Sequence, residues 1–104
     1  MREVIGTRKP YTLVVFRSGP RANEPGADKA IWEHGRRNLE LRRDGIVNLI
    51  IALRDEWEIE GLDVFNRGVD ETRRIMDEDP AVKAGVLTYE IHPAVSFPGD
   101  ALST

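Results

Sequence analysis

The sequence predicts an α+β fold of order β-α-β-β-α-β, in which four antiparallel strands form a sheet with two helices on one face. Three observations carry this expectation. Four stretches of strand length, at 11–17, 46–53, 61–65 and 86–92, are rich in β-branched, aromatic or aliphatic residues. Two charged stretches with helical spacing lie between the first pair and the second pair. Glycine and proline stand at the joints, at Gly19-Pro20, Gly26, Gly45, Gly61, Pro80, Gly85 and Pro93.

The first strand is YTLVVFR at 11–17, stopped by Ser18-Gly19-Pro20. A long connection follows to Gly26, and loops of that kind tend to cover or line a site. Asp28 is expected to cap a helix over 28–44, with Gly45 supplying a left-handed stop. The run IVNLIIAL at 46–53 reads as the second strand, the charged segment 54–60 as a turn, and 61–65 as a short return strand. Asp70 is expected to cap a second helix ending near 77–79, because Pro80 cannot continue it. The last strand is expected at 86–92 and to stop at Pro93. This order is the ferredoxin-like, or split β-α-β, arrangement. Residues 1–10 are expected to form an N-terminal arm, 11–93 the domain and 94–104 a C-terminal tail.

A sheet covered on one face should alternate apolar and polar residues, and the first two strands do not. Leu13 and Val15 oppose Val14 and Phe16; Val47, Leu49, Ile51 and Leu53 oppose Ile46, Ile50 and Ala52. Two helices hide one face only. A two-fold partner sheet is the simplest cover for the other, so a homodimer with its sheets packed face to face is expected.

The bulk numbers exclude several classes. A chain of 104 residues fits one domain. With 40% hydrophobic and 32% charged residues it has the composition of a globular protein. The net charge of −3 disfavours nucleic acid, and the pairs Arg36-Arg37, Arg42-Arg43 and Arg73-Arg74 are interleaved with Asp and Glu, as on a solvated helix face. There is no cysteine, so thiolate metal sites and thiol nucleophiles are absent. No run resembles a signal peptide or a membrane span, and a cytoplasmic location is the simplest expectation. There is no G-x-G-x-x-G, P-loop or G-x-S-x-G motif. The two histidines, His34 and His92, are too far apart for a short metal-binding spacing. Neither a cofactor nor a metal is expected.

The candidate site residues are few. Ile31, His34, Asn38 and Leu41 share one helical face, apolar at its ends and polar in its middle, as if His34 and Asn38 looked into the helix–sheet layer. His34 reads either as a boundary histidine or as a general acid or base. Asp79 lies on the side of the second helix that carries Ile75 and Met76. With Pro80 behind it, Asp79 also suits an N-cap, worth roughly 1 kcal/mol. Arg17 and Ser18 close the first strand beside the long loop, where they can meet a polar or anionic substrate or simply be hydrated. His92 ends the last strand on the side of Thr88 and Glu90, as a ligand contact or an exposed strand-end residue. Trp57, in the charged turn, reads more readily as a subunit-edge residue than as a stacking platform.

Three segments resemble the YCII-related (YciI-like) proteins. DEDPAVKAGVLTYEIHP is similar to that family's D-P-x-V-x-A-G segment and final strand. WEHGRRNLELRRDG resembles its first helix, and YTLVVFRSGP its opening strand; together they span 11–93. The resemblance implies a dimeric α/β barrel and a His–Asp pair in a cleft of each subunit, at positions that match His34 and Asp79. Family members with assigned chemistry act in the breakdown of small aromatic compounds. The chain departs from the family at ALRDEWEIEG, where relatives usually show a glycine-proline step.

Such a pair works by a carboxylate orienting an imidazole. With Ser18 as the sole and weak candidate nucleophile, proton transfer, as in an isomerase or an HX-eliminating lyase, fits better than acyl transfer. Two functions follow as expectations. One is a small cofactor-free enzyme that moves a proton on a small aromatic or carbonyl compound, with His34 and Asp79 catalytic and Arg17, Ser18, Asn38 and His92 binding substrate. The other is a non-catalytic dimeric module that binds a small ligand or a protein.

Overall fold

The computed structural model describes residues 6–104, so the first half of the expected N-terminal arm lies outside the described residues. Strand β1 (Lys9–Ser18) leads into helix α1 (Ala27–Arg43), then strands β2 (Val47–Ala52) and β3 (Ile59–Phe65). Helix α2 (Val69–Asp77), the single helical turn α3 (Pro80–Lys83) and strand β4 (Leu87–Ser96) complete the order. The sheet runs β2-β3-β1-β4, with every neighbouring pair antiparallel. This is the ferredoxin-like β-α-β-β-α-β fold.

The register sorts the side chains into two faces, because neighbours across a ladder point the same way. Val14 is opposite Asp63 on one side and Ile91 on the other; Thr12 is opposite Phe65 and Pro93; Phe16 is opposite Gly61 and Tyr89. This face meets the helices and holds the core, in which Val14, Phe65, Met76 and Ala81 are fully buried. The other face carries Leu13, Val15, Leu49, Ile51, Leu62 and Val64 toward β2, and Thr88, Glu90 and His92 toward β4. No element of the described chain packs on it. The uncovered face is therefore apolar toward β2 and polar toward β4.

Two helix ends use the same device. Gly45 takes φ +76 after α1, its amide donating to the carbonyl of Arg42 and the amide of Ile46 to that of Leu41. Gly85 takes φ +75 after α3, with the matching bonds Gly85 to Val82 and Val86 to Ala81.

Several sequence expectations are corrected. Neither Asp28 nor Asp70 caps a helix. Gly26 and Gly68 occupy the cap positions, no side chain caps either helix, and both aspartates lie in the first turn, where their charge still favours the helix dipole. Strand β1 begins at Lys9, so the second half of the expected arm is partly sheet. Strand β4 runs through Pro93 to Ser96, which shortens the expected tail. β4 is an edge strand, where a missing amide proton costs no ladder bond on the outer side. β3 begins at Ile59, two residues before Gly61.

The loop after β1 is pinned to the start of β4 by Gly19 N–H to the Val86 carbonyl (2.8 Å) and Arg21 N–H to the Gly85 carbonyl (2.9 Å). A Cβ on Gly19 would lie 2.3 Å from the Gly85 carbonyl oxygen, a backbone atom that cannot rotate away. Gly19→Ala is therefore expected to lower stability by roughly 1–3 kcal/mol in denaturant unfolding. An unchanged midpoint would show that the loop is not held there.

Candidate functional site

Two residues 45 apart in sequence meet between α1 and α3. His34 Nδ1 lies 2.9 Å from Asp79 Oδ1. The other carboxylate oxygen, Oδ2, accepts hydrogen bonds from the backbone amides of Ala81 (3.0 Å) and Val82 (3.3 Å). Asp79 is thus the N-cap of α3, with Pro80 at the first helical position, and the hydrogen-bond partner of His34 at once. Its side chain is 2% exposed. Arg37 places Nη1 3.6 Å from Asp79 Oδ1, and that nitrogen is buried without a hydrogen-bond partner among the described residues.

Burial would raise the Asp79 carboxyl. The hydrogen bond from His34, its charge and the Val82 and Ala81 amides outweigh burial and hold the carboxyl below its ordinary range. An ionised carboxylate only accepts, so Nδ1 is the nitrogen that carries hydrogen in this pair. Nε2 is left with no hydrogen bond among the described residues. The imidazole plane is set by Phe16, edge to face, with ring centroids 4.9 Å apart.

His34 lines an open cleft of about 710 Å³ between α1, the ends of β2 and β3, and the sheet floor. The walls are largely apolar, with Ile31, Trp32 and Leu39 from α1 and Ile50 and Leu53 from the β2 side. The floor is Phe16, Gly61 and Leu87. Gly61 is needed there, since a Cβ would lie 2.6 Å from the Ile51 carbonyl oxygen across the ladder. The polar lining is His34, Asn38, Asp63, Glu60 and Arg36, of which Arg36 is paired with Glu40.

Asn38, one turn beyond His34 on the same helix face, is 5% exposed, and its Nδ2 donates to Asp63 Oδ1 at 3.0 Å. Asp63 is 1% exposed, and its Oδ2 has no hydrogen-bond partner among the described residues. Burial pushes its carboxyl up to about 6. The Asn38 bond and the charge on His34 draw it down in part, and Asp79 adds to the rise. Sequence reasoning missed Asp63. The signal was its parity, because Gly61, Asp63 and Phe65 share the helix-facing side of β3, where a carboxyl is out of place.

The remaining candidates lie elsewhere. Arg17 is on the opposite face of the sheet, paired with Glu90 and with Glu58 at 3.1 Å. His92 is on that same face, with Nε2 3.0 Å from Glu90 Oε2. Ser18 reaches the cleft rim only indirectly, its hydroxyl donating to Glu60 at 2.6 Å. Trp57 is exposed in the turn between β2 and β3. The structure therefore brings together His34, Asp79, Asn38 and Asp63, and leaves Arg17 and His92 outside the cleft.

Among the described residues no group of three or more acidic or histidine side chains is placed to hold a metal ion. Among them, too, no helix is long and apolar enough to cross a membrane. The chain matches no protein-family model, and no curated protein matches it.

Asp63 makes the stability of the fold depend on pH with a definite sign. Its folded value, about 6, lies above the ordinary 3.8. Between those values the folded protein holds a proton that the unfolded chain has released, so stability falls as pH rises through this window. Above it, ionised Asp63 costs up to about 3 kcal/mol, since each tenfold change in proton affinity is worth about 1.4 kcal/mol. Asp63→Asn is expected to raise stability relative to wild type near neutral pH, with the gain vanishing in acid below the ordinary aspartate range. Denaturant unfolding across pH checks this. A variant equally destabilised at every pH would contradict it.

Proposed function

We propose that this chain is a YCII-related protein acting as a small cofactor-free enzyme, which moves a proton on a small aromatic or carbonyl compound. The observation that carries the reading is the 2.9 Å contact between His34 Nδ1 and Asp79 Oδ1 on a ring that lines the apolar cleft. Asp79 fixes the tautomer. The Nε2 lone pair then accepts a proton from the substrate, and the imidazolium that forms is stabilised by the same carboxylate. The ring returns the proton at a second atom of the substrate, as in an isomerisation, or releases it with a leaving group, as in an elimination. Apolar walls suit a flat ring.

The uncovered sheet face supports the second part of the proposal, a homodimer joined sheet to sheet as a dimeric α/β barrel. Leu13, Leu49, Ile51, Leu62 and Val64 form an apolar half-face that is only half-buried in one chain, with Ile51 exposed, and a two-fold axis would cover both copies at once. Native mass spectrometry is expected to give twice the 11.8 kDa chain mass. A monomer would remove this part.

A second reading has one observation in its favour. Asp79 is accounted for as the cap of α3 without any catalytic role, and a non-catalytic module that binds a small ligand would keep it for that reason. Solvent exchange separates the two. Small carbonyl and aromatic compounds with acidic C–H bonds, incubated with the protein in heavy water, are expected to take up deuterium at a rate that falls on the order of 10²–10⁴-fold in His34→Ala. Binding without exchange in wild type, or exchange unaltered by His34→Ala, would favour the binding module.

A further inference from the structure

The proton-transfer reading leaves the second polar pair of the cleft, Asn38 and Asp63, without a task. Buried carboxyl groups are costly on an interior strand, and this one is half satisfied: Oδ1 takes the Asn38 amide and Oδ2 takes nothing among the described residues. What the arrangement does is fix the direction of the Asn38 side chain. An ionised carboxylate can only accept, so the nitrogen end of the amide is held against Asp63. The carbonyl end, Oδ1, is turned away and makes no hydrogen bond among the described residues. Asn38 lines the cleft one helical turn from His34, among apolar walls that offer a ligand few other polar partners.

Charge points the same way. Glu60 and Asp63 both line the cleft, and Asp79 lies behind His34. Of the nearby cations, Arg36 is bound to Glu40, Arg37 is drawn to Asp79, and any charge on His34 is shared with Asp79. An anionic ligand would meet these carboxylates, while the arginines of α1 nearest His34, Arg36 and Arg37, are already engaged by Glu40 and Asp79.

We propose that Asn38, its amide oriented by Asp63, accepts a hydrogen bond from the polar end of the ligand, so that the cleft selects uncharged ring compounds bearing an O–H or N–H donor over aromatic carboxylates. This deepens the assignment of the cleft as the working site and rests on it. Asp63 is a positioning residue, acting through Asn38.

Three probes of one shape test it on the full chain: phenol, toluene and benzoate, with affinity read from NMR shift changes near neutral pH. Phenol is expected to bind about tenfold tighter than toluene, as for one buried hydrogen bond, and benzoate no tighter than toluene. In Asn38→Leu the preference for phenol over toluene is expected to fall close to one while toluene affinity holds. Asp63→Leu is expected to do the same by freeing the amide, and Asp63→Asn, which still offers an acceptor to Asn38, to restore much of the preference. Benzoate binding as tightly as phenol would overturn the proposal. So would no detectable phenol binding, or an unchanged preference in Asn38→Leu. Should that variant not fold, the wild-type ranking alone decides. A phenol preference in wild-type protein that shows no proton exchange, and that is kept in His34→Asn, would locate the failure in the catalytic reading and not here.

Discussion

Asp79 is the residue on which the site depends, because one buried carboxylate closes two parts of the molecule. Oδ2 collects the amides of Ala81 and Val82 and so starts the turn that carries the chain from α2 into β4. Oδ1 takes the imidazole of His34 and so ties that turn to α1. The backbone bonds place the carboxylate and the imidazole is then placed by it. A side chain fixed by its own backbone loses little further freedom in holding a partner, which is how a catalytic group is kept in one orientation. The same economy means that removing Asp79 would disturb the turn and the imidazole together.

The layer between α1 and the sheet holds a second carboxyl with the opposite tendency. Asp79 is held below its ordinary range by the donors around it, while Asp63, with one donor and deep burial, is pushed up to about 6. The Asp79 carboxylate disfavours ionisation of Asp63, and His34 favours ionisation of both. A purely structural layer would be more stable with an apolar residue at position 63. The cost of retaining a carboxyl there is the physical reason to look for its use.

Much of this was legible in the sequence, for reasons that can be traced. Strand and helix order followed from periodicity, and Gly45 marks its helix stop because few other residues tolerate φ +76. The Asp79-Pro80 dipeptide announced its cap, and the face shared by His34 and Asn38 followed from helical spacing. The facing of Arg17 was also readable, since it shares parity with Leu13 and Val15, yet its position beside the long loop made it a substrate contact in expectation. The passage of β4 through Pro93 was not readable, because whether a proline is tolerated depends on the strand being at an edge, and edge position is a property of the assembled sheet. Nor could local sequence rank Gly26 against Asp28, or Gly68 against Asp70, as helix starts. The meeting of Asn38 with Asp63 required the register of β3 against β1, which no single strand contains.

The proton transfer proposed for the cleft rests on Asp79 holding His34 with hydrogen on Nδ1, which leaves Nε2 free to move a proton. Long-range nitrogen–proton NMR correlation on labelled protein reads this directly, because the two ring nitrogens of a neutral imidazole differ according to which is protonated. Neutral His34 is expected as the Nδ1–H tautomer in wild type, and that preference is expected to be lost in Asp79→Leu. A neutral His34 found as the Nε2–H tautomer in wild type would contradict the proposed role of the pair.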